Sequence, residues 1–239
     1  MRGAAEAILR RQRGVTIAGL ITVTALAWAW IASGAGMGMA MAWDADRLFL
    51  TFAMWWVMMI AMMVPAAAPV VLLYARAAPQ PHSFAFLAGY LLCWLAFSLA
   101  AVALQVALEE AGRLAPMEMA LSSRWLAGGL LIAAGIYQFT PLKHSCLSHC
   151  RNPAQWLSRH YRPGAIGALR MGLSHGAFCV GCCWTLMLLL FVVGVMNLAW
   201  IAALTLVVAA EKLLPRGEWI ARVGGAAFIL WGAAILALG

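Results

Sequence analysis

The chain has 239 residues, of which 65% are hydrophobic and 10% charged, and it carries a formal charge of +8. A typical soluble domain is about 45–50% apolar and about 25% charged, so this composition does not supply a water-facing surface. Six cysteines in a chain of this length are too few for a disulfide-stapled secreted scaffold.

Crossing a roughly 30 Å hydrocarbon core takes about 18–20 apolar residues. Seven such stretches follow one another: Val15–Ser33, Leu48–Tyr74, Ser83–Leu108, Trp125–Pro141, Met171–Val193, Val195–Leu214 and Trp219–Leu238. They predict an all-α, polytopic transmembrane helical bundle, with residues 1–239 forming a single transmembrane domain. The first stretch follows Arg10, Arg11 and Arg13 and is longer than the apolar core of a cleaved signal peptide, so it reads as an uncleaved anchor. After it, Met37, Met39 and Met41 alternate in a loop where thioethers could dock Cu(I).

The second stretch stacks Met54, Met58 and Met62 at i, i+4 and i+8, with Met59 and Met63 in an adjoining row. Pro65 and Pro69 are expected to break its inner part and free backbone carbonyls. Cys93, alone on the third stretch, reads as core packing. Between the fourth and fifth stretches, Leu142–Arg170 is expected to be a loop. It carries Cys146 and Cys150 at C-x3-C spacing with His144 and His149 beside them, enough ligand chemistry to capture a transition metal.

The fifth stretch carries His175, Cys179, Cys182 and Cys183, with Met171 and Met187 flanking them. These offsets of three, four, seven and eight put sulfur and imidazole on one helical face. At 1.5 Å per residue Cys182 lies roughly 16 Å from the edge at Met171, close to the bilayer midplane. Gly172 and Gly176 are spaced to let another helix approach that face. Gly194–Val195 marks the break before the sixth stretch, whose Glu211 and Lys212 read as a self-paired interfacial couple. His82 and His160 are expected in solvated loops.

Two apolar segments, Leu126–Tyr137 and Val223–Leu236, are each built around a Gly-Gly pair. They suggest that spans two to four and five to seven are inverted three-helix repeats, an arrangement common among transporters.

Thirteen Lys and Arg residues fall on the N-terminal side of this topology and three, Arg47, Arg113 and Arg124, on the other. The positive-inside rule therefore places the protein in the inner (cytoplasmic) membrane with its N-terminus in the cytosol and, for seven spans, its C-terminus outside. The basic charge follows from contact with anionic lipid, and no nucleic-acid partner is expected.

Three motifs together resemble a bacterial domain-of-unknown-function family described as predicted metal-binding integral membrane proteins. They are Met54-Trp-x-x-Met58-x-x-Ala61-Met62-Met63-x-Pro65, Tyr137-Gln138-x-Thr140-Pro141-Leu142-Lys143-x-x-Cys146-x-x-x-Cys150, and Gly172-Leu-x-His175-Gly176-x-x-Cys179-x-Gly181-Cys182-Cys183-Trp184. The similarity runs over roughly 50–214 and implies metal binding in a membrane, without a reaction or a metal identity.

The soft ligands select Cu(I), with zinc as the other candidate ion. The expected ligand set is Cys179, Cys182, Cys183, His175, Cys146, Cys150, Met54, Met58 and Met62. The leading reading is a protein that binds Cu(I) for transport or delivery, with a metal chaperone or partner membrane protein as its exchange partner. Two alternatives stand beside it: a transmembrane thiol–disulfide oxidoreductase, the single enzymatic possibility, and a non-transporting subunit of a membrane complex.

Overall fold

In a computed structural model, residues 2–34, 43–78, 80–115 and 118–238 are described. Met37, Met39 and Met41 lie outside them. The described residues form ten helices: α1 Arg2–Ala32, α2 Ala45–Ala77, α3 Gln80–Glu110, α4 Arg124–Tyr137, α5 Pro141–Arg151, α6 Pro153–His160, α7 Gly164–Leu188, α8 Leu190–Val193, α9 Leu198–Leu213 and α10 Gly217–Leu238. The all-α bundle is as expected.

Five helical segments are long and apolar enough to cross a membrane, and the bent pair α4 and α5 makes a sixth if counted as one span. Each of the seven expected stretches is helical, roughly in keeping with the expected count, although α4 with 14 residues and α9 with 16 are shorter than the others. A 16-residue helix is about 24 Å long, short of a full hydrocarbon core. Leu26, Leu206 and Leu230 are each 65% or more exposed, which suits an exterior bathed in acyl chains. The centre is built by α7 and α2, with 61% and 50% of their most apolar windows buried against 22% for α1 and α10.

Local chemistry accounts for the helix boundaries. Asp44 caps α2 by accepting from the Arg47 N–H at 2.8 Å, and Asn197 caps α9 by accepting from the Trp200 N–H at 3.0 Å. The break before α9 falls where expected, at Gly194, whose φ of +116° excludes most side chains. Pro65 and Pro69 do not break α2, which runs through both. Pro65 has no N–H for the Ala61 carbonyl, and the Trp28 indole of α1 donates to that carbonyl instead, at 3.2 Å. A neighbouring helix therefore satisfies the orphaned group, as hydrocarbon requires.

The segment expected as a loop is helical and packed. A 64° bend follows α4, and Thr140 then caps α5, with Pro141 at its first turn and Pro153 opening α6. Cys146, Leu147, Trp156 and Leu157 are buried, so these two short amphipathic helices fold back against the bundle, and α7 begins at Gly164 rather than at Met171.

Glycines set two close seams. On α7, a Cβ at Gly172 would collide with the Phe86 carbonyl of α3, and one at Gly176 would meet Cys93 at 2.9 Å. The approach anticipated at these glycines is present. Replacing Gly172 by valine should destabilise the protein by more than the ~1–3 kcal/mol usual for overpacking, because the obstacle is backbone. An unchanged Tm in detergent would refute this.

The second seam joins α4 to α10. Gly128 lies against Gly232, and Gly135 against Gly225. The two helices run antiparallel, and each seven-residue glycine pair meets the other reciprocally, as a two-fold axis would arrange them.

Candidate metal centre

Four helices bring sulfur and charge together. From α7, the Cys182 Sγ lies 4.0 Å from the Cys150 Sγ of α5, and the Cys183 Sγ lies 3.9 Å from the Met63 Sδ of α2. From α9, the Lys212 Nζ lies 2.8 Å from the Cys179 Sγ and 3.8 Å from the Cys183 Sγ. The Tyr90 hydroxyl of α3 reaches the Cys179 Sγ at 3.0 Å and the Met63 carbonyl at 3.1 Å. Cys179, Cys182 and Cys183 are at most 2% exposed, and all six cysteines are free thiols.

The expected ligands separate into groups. Cys179, Cys182 and Cys183 share one buried face, and Cys150 joins them across the α5–α7 contact. Cys146 is buried against the same helix, where its Sγ occupies the space a side chain at Gly181 would need. Met54, Met58 and Met62 are buried in α2, but the sulfur that reaches a thiol belongs to Met63 in the adjoining row. His175 is 3% exposed, its Nδ1 has no hydrogen-bond partner among the described residues, and its ring is surrounded by those of Phe86, Tyr90 and Trp156. Cys93 donates to the Leu173 carbonyl at 3.1 Å and serves packing.

The self-paired reading of Glu211 and Lys212 is overturned. The Glu211 Oε2 accepts from the Lys143 Nζ of α5 at 2.6 Å, while Lys212 turns to Cys179. Successive helical residues do not face each other, so neighbours in sequence take different partners. Lys143 and Glu211 are each 1% exposed and Lys212 is 7% exposed. Sequence reasoning missed Lys143, Lys212 and Tyr90 at this site. The available signal was the rarity of ionisable residues at membrane depth, which marks them as functional candidates.

Charge and spacing define what this cluster can hold. Lys143 and Glu211 neutralise each other, and the buried ammonium of Lys212 has a cysteine sulfur as its partner. A thiolate is both the counter-charge that such an ammonium requires and the form of cysteine that binds metal. Two sulfurs 4.0 Å apart accept one ion at about 2.3 Å from each with an S–metal–S angle of about 120°. Among the described residues no three His, Cys, Asp or Glu side chains form a ready cage. Sulfur pairs of this kind suit a soft ion of low coordination number rather than a tetrahedral structural zinc.

The family model described as PpoB2, copper chaperone, matches residues 52–235. The chain belongs to that copper-chaperone family. Its match spans every helix from α2 to α10, so α10, which the sequence resemblance left out, lies inside the family region and α1 outside it. Membership gives the protein a copper-related role and agrees with the soft donor set. No curated protein and no solved structure matches the chain.

Proposed function

We propose that the protein is a membrane copper carrier that takes Cu(I) between the thiolates of Cys150 and Cys182 and passes it among Cys179, Cys183 and Met63. The observation that carries this reading is the 4.0 Å contact between the Cys150 and Cys182 sulfurs, one on α5 and one on α7. Thiolate and thioether are the donors that select Cu(I). Met63 gives the ion a weaker, uncharged stop beside Cys183, so transfer along the cluster proceeds by exchanging one sulfur at a time. Lys212 holds the fixed positive charge that balances an anionic Cu(I)–bis-thiolate centre. Under the positive-inside rule the basic last turns of α5 and α6 support delivery and uptake on the cytosolic side.

Metal analysis of protein purified from copper-supplemented cells tests this. The unaltered chain should hold near-stoichiometric copper, and Cys182→Ser with Cys183→Ser should lower it by roughly tenfold or more, since even outer-shell losses cost 10–100-fold. Equal copper in both proteins would refute the reading. The same sulfur contact favours a second reading, thiol–disulfide exchange between Cys150 and Cys182. Co-ordinated loss of alkylation at both cysteines under mild oxidation, with no copper bound, would select it.

A further inference from the structure

We propose that His149 and His160 form a separate imidazole port that receives Cu(I) from thiolate carriers before it reaches the buried sulfurs. A cavity of about 230 Å³ opens between α5 and α6, and His149, His160, Trp156 and Arg159 are among its walls. The His149 Nδ1 lies 2.7 Å from the Ser145 carbonyl and the His160 Nδ1 lies 2.9 Å from the Trp156 carbonyl. A carbonyl can only accept, so each Nδ1 is the donor, which leaves Nε2 as the nitrogen whose lone pair an ion can take. This is the arrangement seen for metal-binding histidines, in which one nitrogen is fixed by a backbone oxygen and the other is left for the ion.

The port is wired to the sulfurs by packing. The His149 ring stacks on Phe178 with centroids 4.2 Å apart and planes 4° from parallel. Phe178 lies one turn before Cys182 on the same side of α7, and Cys182 meets Cys150 of α5, so the stack belongs to the α5–α7 contact that holds the thiols. On the other wall Trp156 stacks with His160 at 5.3 Å and meets the buried His175 edge-on at 5.2 Å.

Arg159 indicates the form in which copper arrives. A bare cation is repelled by a guanidinium in the wall, whereas Cu(I) held between two thiolates carries a net negative charge and is attracted. At the port one Cu–S bond breaks and one Cu–N bond to an Nε2 forms. The carrier sulfur leaves as thiolate, and no electrons change hands.

The proposal rests on the preceding reading for the destination of the copper, and its test separates the two. His149→Phe keeps the ring stack and removes the nitrogens. It is combined with His160→Ala at an exposed position, and folding of the variants is checked by Tm. Calorimetric titration uses Ni(II), an ion that suits imidazole and does not oxidise thiols. One nickel site should be present in the unaltered full chain, kept in Cys182→Ser with Cys183→Ser, and lost in the histidine variant.

Stopped-flow loading from the Cu(I)–cysteine complex should then be about tenfold slower in the histidine variant, with unchanged final copper. Arg159→Ala should slow loading from that anionic complex but not from the cationic Cu(I)–acetonitrile complex. Nickel binding that is absent or indifferent to the histidines overturns the port, as does an unchanged loading rate. If the unaltered chain takes up no copper, the sulfur-centre reading fails while the nickel titration still decides the port.

Discussion

Replacing Lys212 by methionine should lower Cu(I) affinity by about 100- to 1,000-fold while leaving the fold at least as stable as before. Lys212 is 7% exposed and its Nζ lies 2.8 Å from the Cys179 sulfur. Opposite charges about 4 Å apart attract by roughly 4 kcal/mol at an effective dielectric near 20, and each 1.4 kcal/mol is about tenfold in affinity. An anionic copper–thiolate centre loses that attraction when the ammonium is removed. The empty protein does not suffer equally, because Cys179 can keep its proton and become an ordinary buried thiol, while the cost of desolvating the lysine disappears. Competition against a Cu(I) chelator measures the first effect and thermal denaturation the second. Affinity within threefold of the unaltered protein would remove Lys212 from the metal centre.

The neighbouring charge should behave in the opposite way. Glu211→Gln should destabilise the protein by roughly 3–5 kcal/mol, the usual consequence of leaving one member of a buried pair behind. Lys143 is 1% exposed, lies 2.6 Å from Glu211, and cannot reach water without α5 lifting away. The double change Lys143→Met with Glu211→Leu should recover most of the loss, since a buried pair replaced by apolar groups is often neutral. Labelling with a membrane-impermeant maleimide gives a second readout. Cys146 and Cys150 on α5 should react faster in Glu211→Gln than in the double variant. Equal stability of the single variant and the unaltered protein would show that the pair does not hold α5 in place.

Local patterns in the chain correctly forecast local features. The offsets of His175, Cys179, Cys182 and Cys183 were enough to place them on one face of α7, because helical periodicity is a property of the segment itself. Gly172 and Gly194 were equally readable, one as a close approach and one as a helix break. The family's description as copper chaperones agrees with the soft-ion reading of those thiols.

What escaped was the rotation of each helix about its axis and the partner it faces. Two methionine rows on α2 looked equivalent, and only packing against α7 turns Met63 rather than Met58 or Met62 towards Cys183. Low hydropathy made residues 142–170 look like a loop. The cap at Thr140 and the proline that opens α6, Pro153, are local signals, but the burial of Leu147 and Trp156 depends on helices distant in sequence. For Glu211 and Lys212, adjacency in the chain suggested a pair that helical geometry forbids.

The order in which the chain is made adds a consequence of where Lys212 sits. The thiols of α5 and α7 emerge before the ammonium of α9, a 16-residue helix that also carries Glu211. Glu211 and Lys212 lie in the last turn of α9 and are both buried, so each relies on a partner from another helix to offset its desolvation. Its partners, Lys143 and Cys179, are already in place when it arrives. The seating of the C-terminal end of α9 therefore depends on residues made earlier, Lys143 for Glu211 and Cys179 for Lys212.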